Sequence, residues 1–308
     1  MVTPAHLEPS KLGTKEYWDA LYTTEIANHA HDPADTGTAW FDDSDAEARL
    51  VDFLEDPERA RELGIDAATT SFLDLGTGNG ALLFALRDAG WDGPMLGVDY
   101  SPQSVRFARR IERARRKDGG EEGEGGSRNN EEGGADEDED GDGEVDVHFA
   151  EHDILHAPAA PLLDARFSPS VVDGWDVVLD KGTFDAISLS AETLDAATAA
   201  AANDASAEPR RINEAYGARV LPLVRDGGLF LITSCNWTEA ELRSWFEDGA
   251  VQEIPPPPGA DQEQRPQQAF WGFEVVGRVE YRSFSFGGVK GQTISSLCFR
   301  KVQKRSRQ

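Results

Sequence analysis

Four carboxylates stand where apolar runs stop: Asp74 in Ser71-Phe-Leu-Asp-Leu75, Asp99 after Pro94-Met-Leu-Gly-Val98, Asp153 in Glu151-His-Asp-Ile154, and Asp180 after Trp175-Asp-Val-Val-Leu179. Such groups accept hydrogen bonds from hydroxyls and amines and attract a cationic centre. The first leads into a glycine turn, Asp74-Leu-Gly-Thr-Gly-Asn-Gly80. The last opens Asp180-Lys-Gly-Thr183, followed by Phe184, Ala186, Ile187 and Leu189 at helical spacing.

The elements that must carry these groups alternate. Strands are expected at Ser71–Leu75, Pro94–Val98, Val145–Ala150, Trp175–Leu179 and Leu229–Thr233, with helices between them. Ser101-Pro102 fits a helix start. Thr238 with Glu241 forms a capping box, and Asn213–Leu223 reads as a helix. Glu16–Leu21, Glu47–Leu54 and Pro57–Leu63 carry helical patterns near the start. Val224–Gly228 reads as a turn. Phe273–Phe286 and Gln292–Lys301 alternate around Gly287–Gly291 and predict a terminal hairpin. Five βα units followed by a hairpin predict a mostly parallel, doubly wound sheet with helices on both faces. Ligands in such sheets bind at the carboxyl ends of the strands, where the strand order switches.

The glycine turn satisfies both the dinucleotide fingerprint G-x-G-x-x-G/A, through Gly76, Gly78 and Ala81, and the D-x-G-x-G-x-G turn of S-adenosylmethionine enzymes. Charge separates them. A pyrophosphate would meet like charge at Asp74, and no Lys or Arg lies between Asp74 and Leu86 to offset it. A sulfonium and an amino group suit Asp74, and the glycines allow close backbone approach at Gly76, Thr77 and Gly78. Asp99, with Tyr100 beside it, accepts from ribose hydroxyls under either reading. Asp153 either accepts from an adenine amino group, with Ile154 against the ring, or caps a helix.

The order LDLGTGNG, GVDYS, EHDI, VLDKGTFDAI resembles the motif series of the seven-stranded class I methyltransferases. DKGTFDAI, LGTKEYWDALYTTE, TAWF, TSCNWTEAEL and FSFGGVKGQTISSLCF resemble the protein-lysine methyltransferases of elongation factor 1-alpha. The resemblance implies a Rossmann-like, seven-stranded sheet, S-adenosylmethionine as cofactor, and a lysine of that factor as substrate. A methyltransferase for another protein or a small molecule, an NAD-dependent enzyme and a non-catalytic scaffold are the rivals.

Methyl transfer to lysine needs a neutral amine held in line, and proximity supplies much of the rate. Asp180 is expected at the methyl-bearing face of the cofactor, orienting the amine as the catalytic residue. Gly182 keeps the substrate path free, and Thr183 caps the helix from Phe184. Lys181 either pairs with Asp185 at i+4 or faces the substrate. Trp40-Phe41, Trp18 and Tyr17 form either an aromatic lid over the cofactor or ordinary packing. Asn236-Trp237 edges the lysine channel. His152 and His156 lack a third ligand, so no metal is expected.

The net charge is −27, of which residues 118–144 hold −12, with thirteen acids against one arginine. That segment cannot bury enough apolar surface to order itself and is expected to be a disordered insert. Residues 255–268 form a Pro-rich loop, and a third insert falls near 203–211. Within one methyltransferase domain, residues 1–65 make a helical lid segment. The acidic balance argues against a nucleic-acid partner, and no run is long enough to span a membrane. Cys235 and Cys298 read as reduced core residues of an intracellular protein. A cytoplasmic monomer acting on a protein is the expectation.

Overall fold

The computed structural model describes residues 4–119, 146–167, 171, 173–194, 210–248, 251–253, 269–286 and 289–305. Most of the acidic insert, the Ala-rich stretch after Leu194, the third insert and the Pro-rich loop lie outside the described residues.

Parallel strands β1 (Phe72–Leu75), β2 (Met95–Asp99), β3 (His148–Glu151), β4 (Trp175–Lys181) and β5 (Val224–Ser234) form one half of the main sheet. Its other half is antiparallel: β10 (Ser295–Arg305) runs between β5 and β7 (Ala269–Arg278), and a three-residue strand β6 (Val251–Glu253) edges β7. The order is β3-β2-β1-β4-β5-β10-β7-β6, seven strands of the expected doubly wound sheet plus the short edge. The order reverses between β1 and β4, which fixes the ligand crevice there.

Helices cover both faces, so strand residues are buried whichever way they point. Phe72, Val177 and Leu179 enter a core with α2 (Ala46–Glu55) and α4 (Ala81–Asp88). Leu73, Leu75 and Val178 enter a second core with Phe184, Tyr216, Trp237 and Phe246. Alternate residues of one strand thereby seed two cores.

Helix α1 (Lys15–His31) runs longer than its sequence pattern. Helix α3 (Pro57–Leu63) begins at a capping Asp56 and a first-turn proline, and α5 (Pro102–Gly119) begins at the expected proline. The capping box at Thr238 and Glu241 forms. Three differences stand out. Val224–Gly228 is a bulged start of β5 rather than a separate turn, with the register shifting beside Trp175 and Val177. The helix expected at Asn213–Leu223 is a run of 3-10 and α turns, as Pro222 removes a backbone donor inside it. The terminal hairpin is divided. β7 and β10 pair within the main sheet, while β8 (Ser283–Phe286) and β9 (Val289–Gln292) form a separate ribbon at its end.

Candidate active site

A cavity of about 400 Å3 opens at the carboxyl ends of the parallel strands, spanning the β1 and β2 turns at one end and the β4 and β5 turns at the other. The glycine turn makes the first wall. Gly76 and Gly78 have φ of 65° and 60°, in the left-handed region. A Cβ on Gly76 would stand 2.1 Å from Thr183 Oγ1, and one on Gly78 would stand 2.6 Å from the Tyr22 hydroxyl. Side chains are therefore excluded on grounds of both space and conformation.

Asp99 sits beside this turn with its carboxylate fixed: Oδ1 accepts from the Ser101 N–H (2.9 Å) and Oδ2 from the Gly78 N–H (3.2 Å). Burial pushes its carboxyl up, opposed by these donors. Each oxygen keeps a second lone pair in a cavity of ligand size. Further along, Asp153 Oδ1 accepts from the N–H groups of Leu155 (2.9 Å) and His156 (3.1 Å), so the capping geometry is present while the residue also lines the cavity with Ile154. His156 joins Asp153 to Glu192 through its two ring nitrogens, at 2.9 and 2.6 Å. Partial burial lowers its pKa, but the two carboxylates outweigh that and hold it up. In the same wall, His152 Nε2 is buried without a hydrogen-bond partner among the described residues.

The glycine cradle, the paired lone pairs of Asp99 and an unpartnered buried imidazole nitrogen suit a polar nucleoside. Comparisons agree in kind. Residues 66–119 match a methyltransferase domain family. The chain is 33% identical to protein-lysine N-methyltransferase EFM4 of Saccharomyces cerevisiae, covering 96% of this chain and 97% of the relative. It is 34% identical to efm4 of Schizosaccharomyces pombe, covering 95% of each. It is 30% identical to EEF1A lysine methyltransferase 2 of Mus musculus, over 95% of this chain and 85% of the relative. The chain belongs to this family of protein-lysine methyltransferases.

S-adenosylmethionine is the methyltransferase's cofactor, and the cradle fits it. Trp40, Gly76, Thr77, Gly78, Asp99, Tyr100, Asp153 and Ile154 line the cavity, as do Lys181, Gly182, Thr183 and Asn236 at the other end. Asp180, Asp74, Trp237 and Tyr17 do not.

Asp180 is 1% exposed and turned inward. Its oxygens accept from the N–H groups of Thr183 (2.8 Å) and Phe184 (3.0 Å) and from the Tyr216 hydroxyl (2.7 Å). Burial pushes its carboxyl up to about 8, opposed by the Tyr216 hydroxyl. The residue expected to orient the amine instead caps α6 (Thr183–Ser188) from beneath. Thr183, expected as that cap, donates to the Leu75 carbonyl at 2.6 Å and ties β4 to β1.

Asp74, 3% exposed, is also absent from the cavity wall, and burial pushes its carboxyl up to about 7, opposed by the Thr77 hydroxyl and Lys181. Buried behind the wall, its carboxyl does not meet a ligand in the cavity directly. Trp237 is buried in the second core, donating from Nε1 to Ser188 Oγ at 3.2 Å and packing on Phe184 and Trp245. It lies under the cavity, not at its edge. Of the two cysteines read as core residues, only Cys298 is buried; Cys235 is exposed at the cavity.

Lys181 does not pair with Asp185. Strand β4 continues through Lys181 and the helix starts at Thr183, so positions 181 and 185 are not one helical turn apart. Its ammonium lies 3.5 Å from the Trp40 carbonyl, at the cavity. Gly182 has φ of 92°, and a Cβ there would meet the Phe41 ring at 3.1 Å. Trp18, Trp40 and Phe41 line the cavity, with Trp18 and Trp40 rings 5.3 Å apart. Tyr17 does not line it; it packs edge-on against Trp18. Sequence reasoning missed Tyr22, Lys15 and the His156–Glu192 pair. Tyr22 reads as an ordinary helical apolar position, and Glu192 lies far along the chain from His156. Among the described residues, no group of three or more His, Cys, Asp or Glu side chains is arranged to hold a metal.

Proposed function

We propose that this methyltransferase modifies a lysine of translation elongation factor 1-alpha, working in the cytoplasm as a single-domain monomer. The observation that carries the substrate is the match along nearly the whole chain to relatives named as EEF1A lysine methyltransferase 2. When bound, S-adenosylmethionine supplies a methyl group on a sulfonium. In this reading Asp99 accepts from the ribose hydroxyls, and the backbone of Gly76, Thr77 and Gly78 lies against the methionine portion. Tyr100, Asp153 and Ile154 hold the adenine. Trp40, with Trp18 and Phe41, covers the site, excluding water and facing the cationic sulfur with aromatic surface. Lys181, Gly182, Thr183 and Asn236 border the path of the incoming lysine. Asp180 acts through position, by fixing the start of α6 on which that path is built. No described helix is long and apolar enough to cross a membrane, which agrees with a dissolved protein substrate.

The test is transfer of labelled methyl from S-adenosylmethionine to purified elongation factor 1-alpha, with the modified residue mapped by mass spectrometry. Label on one lysine, lost when that lysine is replaced by arginine, is expected. Label on other proteins of an extract but none on the elongation factor would reject the substrate. Calorimetry should show heat with S-adenosylhomocysteine and none with NAD.

A further inference from the structure

The substrate end of the cavity holds a carboxylate the sequence reading treated only as a partner for Lys181. Asp185, on the first turn of α6, lines the cavity beside Cys235 and Asn236 although the residue is only 5% exposed. Oδ1 accepts from the Ser234 hydroxyl, and Oδ2 accepts from the Cys235 N–H at 2.8 Å. Ser234 Oγ itself accepts from the N–H groups of Asn236 (3.1 Å) and Trp237 (3.0 Å), so the donor is held in place by the end of β5. The Cys235 thiol and the Asn236 N–H also bear on the carboxylate, so every donor to it is a neutral group and none is a cation. No described Lys or Arg forms an ion pair with Asp185. A buried carboxylate without a cation is unfavourable, and an arriving ammonium relieves it. Asp180 does not line the cavity and so offers no such place.

We propose that Asp185 receives the ε-ammonium of the substrate lysine and takes its proton. The inference rests on the lysine-methyltransferase reading above. An N–H bond of the ammonium breaks and the proton moves to a carboxylate oxygen of Asp185. The freed nitrogen lone pair then forms the N–C bond to the methyl group as the C–S bond breaks, its electron pair remaining on sulfur. Asp185 returns its proton to water when product leaves. A lysine in water titrates near about 10.4, so the neutral amine must be made at the site. Burial raises the Asp185 carboxyl above its ordinary range, against the Ser234 and Cys235 donors, which narrows that gap. Asp180 and Cys235 act on it directly, Asp43 acts on Cys235, and Lys181 and Lys15 line the same cavity; the segments packed on α6, Lys11–Gly13 and Ile212–Ala215, carry Lys11 and Glu214. Glu214 is already paired with Arg210.

The test compares full-length wild type, D185N, D185E and D185Q on elongation factor 1-alpha. Asn keeps the shape and an acceptor for the Cys235 N–H but turns its NH2 toward the Ser234 hydroxyl, which already accepts from two N–H groups, so the melting temperature of D185N is read beside its turnover. D185N is expected to lower kcat by about 100-fold or more near neutral pH, the scale of a lost general base. Its affinity for S-adenosylhomocysteine should stay within about threefold. Its deficit should shrink as the assay is raised from about pH 7 to about pH 9.5, where more lysine arrives neutral. D185E should turn over at least about tenfold faster than D185N, and the comparison of D185E with the equally long D185Q, which differ only in charge, decides the matter if D185N folds poorly. D185N turnover within threefold of wild type, a deficit independent of pH, or D185E no faster than D185N or D185Q overturns the proposal. Wild-type label on a different protein moves the comparison to that protein. Wild type that labels no lysine at all overturns both readings.

Discussion

Asp99 binds two backbone N–H groups and still offers the cavity a lone pair on each oxygen. Removing it with D99A should weaken S-adenosylhomocysteine binding by about 100-fold or more, the loss of its charged hydrogen bonds to the ribose hydroxyls, as read by calorimetry. Asp180 serves differently. D180A leaves two helix N–H groups and the Tyr216 hydroxyl buried without their acceptor. A cost of about 2–4 kcal/mol follows, visible as a melting temperature lower by about 5–10 °C. Asp74 makes a pH prediction. Its folded pKa of about 7 lies above the ordinary 3.8, so between these values the folded chain holds more protons than the unfolded one. Stability from this group falls as pH rises through that window, by up to about 1 kcal/mol per pH unit. D74N should flatten the decline in melting temperature between pH 5 and 8 relative to wild type. An equal slope in both would show that Asp74 does not titrate there.

At the scale of elements, the site depends on two turns locked together. Thr183 of the β4–α6 turn donates to the Leu75 carbonyl, and its hydroxyl fills the space a Cβ on Gly76 would need. G76A should therefore separate β1 from α6 as well as strain its own backbone, which costs about 1–3 kcal/mol in the left-handed region. Reduced melting temperature and loss of S-adenosylhomocysteine affinity together are the expected outcome; normal affinity would show that the turns are independent. Elements also explain which sequence readings transferred. The strand ends were legible because apolar runs bounded by glycine and carboxylates are local signals. The direction of each carboxylate was not, since Asp180 and Asp185 are both acids of one short motif and only the start of α6 at Thr183 turns one inward and the other to the cavity.

For the whole molecule, the parallel half of the sheet sets a polarity. Helix α5 runs back against β2, so its C-terminal end and the start of β3 lie at the end of the sheet away from the cavity. The acidic insert joins those two points. Replacing residues 120–145 by a short Gly-Ser linker should leave turnover and melting temperature within experimental error of wild type; a raised KM for the protein substrate would make the insert a docking arm.

The alternation of strands and helices, the glycine turn and the order of the motifs are legible along the chain, because each is written in residues close together. Tertiary structure alone decided which acids face the cavity, that Tyr22 and Trp18 reach it from α1, and that His156 meets Glu192. Those outcomes depend on how the first helix and the β4–α6 turn pack over the strand ends. Contacts between distant segments follow from the folded geometry of the sheet, and no local pattern of residues encodes them.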